Sequence, residues 1–227
     1  MTLQIFKELE QGTDEWLAER CGIVTASVAG QLVTPTLKTA NNDTSRGLTM
    51  TLAAERITGH VEPIQPSRAM ERGTLDEPYA RDAYAEHKGW AVDQIGFMVR
   101  QFDGFKIGFS PDGLVGDDGV IEIKSRAQKI QLKTVLADQV PAENLAQIQC
   151  GLLVSGREWC DYVSYSGGMK LWTKRVYPDA AWHEAIFAAV KQFEADATEA
   201  VSTYLAATAD MPDTERIDHF AEPEFTF

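Results

Sequence analysis

Cysteine and histidine are scarce in this 227-residue chain, and neither occurs at a spacing that is typical of metal sites. The three cysteines, Cys21, Cys150 and Cys160, form no C-x-x-C pair. This argues against a zinc ribbon or an iron–sulfur cluster and favours a reducing, cytoplasmic setting. None of the four histidines pairs with another at metal-ligand spacing, and no Ser-His-Asp order or phosphate-binding glycine loop is present.

Long apolar runs are also missing. No stretch of about 18 apolar residues occurs, so we expect no membrane span. The N-terminal MTLQIFKELEQG lacks a basic start followed by an apolar stretch, so we do not expect a secretion signal. A hydrophobic content of 44% is nevertheless enough for a substantial core, and the length fits a single domain, here residues 1–227.

Basic residues are outnumbered, with 21 Lys and Arg against 34 Asp and Glu and a net charge of -13. Proteins that grip DNA usually show a basic footprint, so any such surface here must be local. The segment 124–133, KSRAQKIQLK, contains four basic residues and no acid. Within it, Arg126 and Lys129 are candidate DNA contacts, although a solvated charged face is the plainer interpretation.

Hydrophobic periodicity predicts an α/β or α+β domain, with a mixed β-sheet flanked by helices. Residues 1–60 are expected to be helical with a polar loop at 34–47, and residues 61–178 to form the sheet-containing core. One apolar stripe predicts a long helix over 179–208, and the acidic tail 209–227 is expected to be poorly ordered. Within the core, helices are predicted at 68–88 and 142–155 and strands at 91–101, 105–110, 119–125, 160–166 and 171–177.

Chemistry concentrates in FSPDGLVGDDGVIEIKSR, residues 109–126. Asp112 lies in a Ser-Pro-Asp-Gly turn, which holds its carboxylate at a fixed point. Strand alternation places Glu122 and Lys124 on one face and the flanking isoleucines on the other. Two carboxylates with waters are suitable ligands for Mg²⁺, beside an amine that can orient water. By pattern alone, a surface ion pair is the favoured interpretation of the Glu-x-Lys.

Asp112 with Glu122-Ile123-Lys124 resembles the PD-(D/E)xK nuclease signature, and Pro111 supplies its leading proline. More narrowly, the chain resembles the phage lambda exonuclease, or YqaJ-like viral recombinase, family. Four blocks in family order carry the resemblance over roughly residues 11–155: QGTDEWLAERCGIVTAS, ERGTLDEPYAR, FSPDGLVGDDGVIEIKS and AENLAQIQCGLLVSG. The implied fold is a restriction-endonuclease-like core.

The resemblance implies a metal site that holds Mg²⁺, with two ions per site expected and Mn²⁺ as a substitute. Asp112, Glu122 and the Ile123 carbonyl would be ligands, and Lys124 would be the catalytic lysine. Glu77 would be a further acidic residue near the metals.

Gln149 in the A-Q-I-Q block matches the family's active-site glutamine, with Gln147 expected to face elsewhere. Without the resemblance, Glu77 and both glutamines read as polar helix surface.

The resemblance also implies a pocket for the DNA 5′-phosphate at Arg20, Thr25 and Ser27. A guanidinium can clamp a phosphate, and hydroxyls near a helix N-terminus add donors. The alternative is that Thr25 or Ser27 simply caps a helix. Met70 matches an apolar residue that wedges between strands at the duplex end, although a lone Met usually belongs to a core.

The activity implied by the resemblance is 5′→3′ exonucleolytic digestion of double-stranded DNA ends, releasing mononucleotides and leaving a 3′ single strand. A ring-shaped homotrimer and a single-strand annealing protein as partner are also implied, in a phage or prophage recombination system of a bacterial host. Two alternatives stay open: an endonuclease on the same core, in repair or restriction, and a non-catalytic DNA-end-binding module.

Overall fold

The computed structural model describes residues 2–63 and 65–217, and within them seven helices. They are α1 (Asp14–Arg20), α2 (Ala26–Ala29), α3 (Asp43–Thr58), α4 (Arg68–Lys88), α5 (Gln128–Ala137), α6 (Ala142–Ser155) and α7 (Ala180–Ala207). No helix of this described part is long and apolar enough to cross a membrane.

The same residues contain eight strands in two four-stranded sheets. The strands are β1 (Thr2–Phe6), β2 (Val24–Thr25), β3 (Phe97–Gln101), β4 (Lys106–Phe109), β5 (Gly113–Val115), β6 (Gly119–Ser125), β7 (Trp159–Tyr165) and β8 (Trp172–Val176). The orders are β1-β3-β4-β2 and β5-β6-β7-β8. Each sheet has one parallel pair, β2 with β4 and β6 with β7, among antiparallel ones. The predicted mixed α/β class is confirmed, with the sheet divided in two.

Helix-capping residues account for the helix boundaries. The Ser67 hydroxyl accepts a bond from the Met70 amide at the start of α4, and Gly89 ends that helix in the left-handed conformation. α3 begins earlier than predicted, inside the segment expected to be a loop. Asn42 and Ser45 form a reciprocal capping box there, which supplies the start signal that apolar periodicity alone does not show.

The N-terminal region is less helical than its pattern predicts. Residues 2–6 form β1, which pairs antiparallel with β3 along its whole length. α2 covers only Ala26–Ala29, a single turn. β5 and α5 were also not predicted, since β5 has only three residues and α5 is short and weakly amphipathic. Tertiary pairing, rather than local pattern, decides these segments.

β6 is covered on both faces and positions the chemistry. Ile121 and Ile123 pack in a cluster with Ala80 and Tyr84 of α4. The alternate residues of β6 face the other way, since Lys124 reaches a side chain of α6. The predicted alternation along β6 is therefore present, but the polar face is enclosed rather than open to solvent.

The long helix α7 lies within one residue of its predicted limits at each end. Ile186 and Phe193 of its predicted stripe are buried, whereas Tyr204 near the end is 48% exposed. α7 packs mainly on α3, where Arg56 forms a bidentate ion pair with Glu194 at 2.8 Å for both bonds. Part of the predicted tail, residues 218–227, lies outside the described residues.

Candidate active site

The turn between β4 and β5 holds Asp112 against β6. Its Oδ2 accepts a 2.6 Å bond from the Ile123 amide, and its backbone carbonyl accepts a 2.8 Å bond from Arg81 Nε. The pairing of Gly113 with Ile121 continues the contact. The half-buried Asp112 carboxylate is thus fixed beside Glu122, as the Pro-Asp-Gly turn predicts.

Glu122 is only 1% exposed, which is unusual for a carboxylate. Its Oε1 accepts a 2.5 Å bond from Lys124 Nζ. Its Oε2 is buried without a hydrogen-bond partner among the described residues. A buried carboxylate oxygen without a partner costs free energy, and a cation bound at that oxygen would remove the cost.

Glu77 of α4 supplies the third carboxylate and forms an ion pair with Arg81. Burial raises the pKa of Glu77 above its ordinary value, against the lowering influence of Arg81, and the nearby Glu122 raises it further. Pro78 lies inside α4 without ending it, so Glu77 is in a helical segment that faces β6. This helix acid belongs to the site rather than to open surface.

The three carboxylates repel one another in this enclosed setting. Burial raises the pKa of Asp112 well above its ordinary value, and Glu122 and Glu77 raise it further. Burial alone would lower the pKa of Lys124, but Glu122 and Asp112 outweigh it and the pKa is raised. Such a cluster of oxygens suits a hard divalent cation. No three acidic, His or Cys side chains of the described residues form a complete ligand set, so water and main-chain oxygens would have to contribute.

These groups line a cavity of about 480 Å³. Met70 and Arg72 of α4 border it on one side, and Arg126 and Ile130 border it near the start of α5. Gln147 of α6 also lines the cavity.

Gln147, rather than the predicted Gln149, is the glutamine that lines the candidate active-site cavity. Gln147 Oε1 accepts a 3.1 Å bond from Lys124 Nζ. Gln149 is 2% exposed and holds the main chain before α7, donating to the Tyr177 carbonyl and accepting from the Asp179 amide at 2.9 Å each. Side chains two residues apart on a helix point in nearly opposite directions, so only one of these two glutamines can reach the cavity.

A second, smaller cavity of about 180 Å³ is lined by Arg20, Thr25 and Ser27 together with Gln147. The Arg20 guanidinium lies 3.8 Å from the centre of the Trp16 ring and donates a 3.5 Å bond to Thr25 Oγ1. Thr25 Oγ1 and Ser27 Oγ are 3.1 Å apart. The three predicted phosphate ligands therefore converge on one cavity.

The turn that carries Arg20 is fixed by α3. Gly22 adopts a φ of 68°, and its amide donates a 2.7 Å bond to Glu55. Arg56 donates a 2.7 Å bond to the Gly22 carbonyl, and a Cβ at Gly22 would lie 2.4 Å from the Arg56 side chain. Glycine is required here both for the left-handed conformation and for the close approach.

Thr25 occupies the N-cap position of α2 but makes no side-chain capping bond. The alternative in which it merely caps a helix is therefore not what the structure shows. α2 has only four residues, so its helix dipole can contribute little to the pocket. The polarity of this pocket comes from its side chains.

The comparisons with known proteins agree with this geometry. The model of the YqaJ-like viral recombinase domain matches residues 15–158, which is more than half of the chain. The chain belongs to the YqaJ-like viral recombinase family. A comparison with curated protein sequences gives no match.

Solved structures extend the likeness beyond this domain. The chain is 31% identical to the alkaline exonuclease LHK-Exo from Laribacter hongkongensis, over 88% of this chain and 100% of that one, with a TM-score of 0.78. The complex of LHK-Exo with dAMP gives a TM-score of 0.77 at the same identity and coverage. A phage-related exonuclease from Haemophilus somnus 129PT shares the fold at 13% identity and a TM-score of 0.61, over 80% and 96% of the two chains. These findings support a nuclease of the exonuclease type.

The remaining predicted DNA contacts of this family member differ in placement. Met70 is 48% exposed and lines the larger cavity. Arg126 lines the same cavity. Lys129 is exposed on α5 and does not line either cavity.

Sequence reasoning missed several polar groups at these cavities, among them Trp16, Ser110 and Arg72. Ser110 accepts a 2.9 Å bond from Trp16 Nε1 and lines the smaller cavity with Trp16 itself. Arg72 lines the larger one. Ser110 directly precedes the Pro-Asp-Gly turn, so its position next to Asp112 was the available signal.

Gln147 and Gln149 provide a matched pair of variants. Gln147→Ala should lower the rate of nucleotide release from linear duplex DNA about ten- to hundredfold with little loss of stability, because it orients Lys124. Gln149→Ala should lower the free energy of unfolding by about 1–3 kcal/mol, because it leaves two buried main-chain groups unpaired. Both variants are compared with the wild type in the rate of nucleotide release and in urea denaturation. A stable but inactive Gln149→Ala protein would contradict the assignment.

Asp112→Asn should stabilise the metal-free protein at neutral pH. Because the folded-state pKa of Asp112 is raised, the wild type loses stability as pH rises from the ordinary value of about 3.9 through the raised one. The advantage of the variant should therefore be small near pH 4 and grow to at least about 1 kcal/mol at pH 8. Urea denaturation in EDTA measures this, with Asp82→Asn, an exposed acid of α4, as control. A difference that does not change with pH would refute the expectation.

Proposed function

We propose that this chain is a Mg²⁺-dependent 5′→3′ exonuclease that acts on the ends of double-stranded DNA. The observation that carries the proposal is that Gln147 lines both cavities. A terminal phosphate bound by Arg20 in the smaller cavity would place the next phosphate of the same strand in the larger one. That arrangement would direct cleavage to the first linkage from a 5′ end.

Asp112, Glu122 and the Ile123 carbonyl are the proposed metal ligands, with two Mg²⁺ ions per site and Mn²⁺ as an alternative. The unpartnered Oε2 of Glu122 supports this, as an oxygen available for a cation. When bound, the ions supply Lewis-acid stabilisation of the phosphate and a lowered pKa of water. Glu77 contributes negative charge at the edge of the same cluster.

Lys124 is the proposed catalytic lysine. Its ammonium is held by Glu122 and Gln147, and its raised pKa keeps it charged at neutral pH. It can orient the attacking water and stabilise the negative charge that develops on the phosphate. The water oxygen bonds to phosphorus and the bond to the 3′ oxygen breaks, which releases a 5′-mononucleotide and leaves a new 5′-phosphate.

Arg20, Thr25 and Ser27 are the proposed ligands of that 5′-phosphate. Each cleavage regenerates the group that they bind, so the same end can be held again after the strand advances. The solved complex of LHK-Exo with dAMP, a nucleoside monophosphate, supports mononucleotides as the product. Met70 at the cavity rim is the proposed wedge that separates the strands.

We also propose the assembly and role that go with this activity. A homotrimeric ring around the duplex would let a protein of net charge -13 turn basic groups such as Arg126 and Lys129 toward DNA. The 3′ strand left behind is the substrate of a single-strand annealing protein, the proposed partner. The proposed setting is the cytoplasm of a bacterial host, in a phage or prophage recombination system.

Blunt linear duplex with and without a 5′-phosphate tests the proposed function in Mg²⁺. The wild type should release mononucleotides at least about tenfold faster from the phosphorylated end, because Arg20 binds that phosphate. Arg20→Ala should be slow on both substrates, with no preference between them. Lys124→Ala should lose about 10²–10³-fold in rate on both.

The decisive control is covalently closed circular duplex, which offers no end. Resistance of the circle is expected, and cutting of it by the wild type would favour an endonuclease instead. Wild-type rates in Lys124→Ala would refute the catalytic assignment, and indifference of the wild type to the 5′-phosphate would refute the Arg20 pocket.

A further inference from the structure

The polar groups of the two cavities follow an order that extends past the catalytic residues. Arg20 lines only the smaller cavity, and Gln147 lines both. Lys124, bonded to Gln147, comes next in the larger cavity. Arg72 and Arg126 line only this larger cavity, where they flank Ser125, the residue after Lys124.

From this order we infer a third phosphate subsite, formed by Arg72 and Arg126. It would bind the phosphodiester directly 3′ of the scissile one on the strand being hydrolysed. The inference rests on the proposed exonuclease function, which assigns the terminal phosphate to Arg20 and the scissile phosphate to Lys124 and the carboxylates.

Arg126 is held in place for such a contact. Its Nη2 donates to Asn144 Oδ1 at 2.5 Å and to the Tyr162 hydroxyl at 2.8 Å. Its Nε is buried without a partner in the described part of the chain, where it also forms no ion pair. A guanidinium anchored through neutral oxygens is not neutralised by an ion-pair partner. Because it is already held in place, it loses little side-chain entropy when it binds a phosphate.

Arg72 approaches the same point from α4. Its Nε donates a 3.0 Å bond to Ser125 Oγ, which in turn donates a 2.6 Å bond to Asp76. Asp76 therefore acts on Arg72 through the serine hydroxyl rather than as a direct ion-pair partner. The terminal nitrogens of the exposed Arg72 side chain are left for a phosphate.

Charge explains why the larger cavity needs these two arginines. Glu77, Asp112 and Glu122 place three carboxylates in it, against the ammonium of Lys124 and the guanidinium of Arg81 that pairs with Glu77. Metal ions would offset this at the scissile phosphate only. A neighbouring phosphodiester in the same cavity would need its own cations, and the two guanidinium groups supply them.

A duplex with a single neutral methylphosphonate tests the subsite. The modification replaces the second linkage from the phosphorylated 5′ end, and single-turnover release of the first nucleotide is measured. The wild type should be slowed about tenfold by the neutral linkage. Arg126→Gln should be slowed about as much on the unmodified duplex, yet respond little to the methylphosphonate, because the contact is already lost. Arg72→Gln should behave likewise, since Arg72 is exposed and within the described residues bonds only Ser125.

Lys191→Gln is the matched control, since Lys191 is an exposed basic residue of α7 that lines neither cavity. It should keep the wild-type response to the methylphosphonate. Thermal melting checks that Arg126→Gln is folded, and Arg72→Gln carries the test if it is not.

Two negative results are distinguishable. If the wild type is active but both arginine variants lose as much rate to the methylphosphonate as the wild type does, the subsite is overturned alone. The same holds if the arginine variants become insensitive only to a methylphosphonate in the complementary strand. If the wild type does not release the first nucleotide from unmodified duplex, the proposed function and the subsite fall together.

Discussion

The buried carboxylate of Glu122 is the constraint on which the rest of the site depends. It lies on a strand covered on both faces, with one oxygen bonded to Lys124 and the other without a partner in the described chain. Asp112 is held beside it by the Ile123 amide, although like charges and burial raise the pKa of that carboxyl. The fold therefore maintains an electrostatically unfavourable cluster at the expense of stability. Such clusters are typical of sites in which a bound cation completes the structure.

The elements that bring the other functional groups to this cluster are fixed by packing at some distance from it. The bidentate pair of Arg56 with Glu194 joins α3 to α7, and Arg56 also bonds the Gly22 carbonyl behind the phosphate pocket. α6 places Gln147 between the two cavities, while Gln149 on its other side bonds the main chain before α7. One helix thus links the candidate phosphate pocket, the candidate catalytic cavity and the long C-terminal helix.

Much of this arrangement could be predicted from sequence because the signals are local. The alternation of Glu122 and Lys124 on β6, the Pro-Asp-Gly turn and the limits of α4 and α6 follow from periodicity, turn chemistry and capping. The failures have a common cause in tertiary structure. Sequence does not show which face of α6 meets Lys124, so it does not distinguish Gln147 from Gln149. β1 forms through pairing with β3, which is distant in sequence. β5 is too short to show a pattern.

The acidic composition fits the same account. Cations near the candidate DNA path are few but placed by specific contacts: Arg20 on the Trp16 ring, Lys124 between Glu122 and Gln147, and Arg126 on Asn144 and Tyr162. A nuclease that relies on such fixed groups does not need a broadly basic surface to hold one DNA end.

The most direct test of this account is a titration of Mn²⁺ followed by electron paramagnetic resonance, in which bound ions lose the sharp signal of the free ion. The wild type should bind Mn²⁺ without DNA, and Mg²⁺ should compete for the site. Glu122→Gln should bind at least about tenfold more weakly, since it replaces a charged ligand with a neutral one. Equal Mn²⁺ binding by the wild type and Glu122→Gln would contradict the claim that the buried carboxylate is held for a metal.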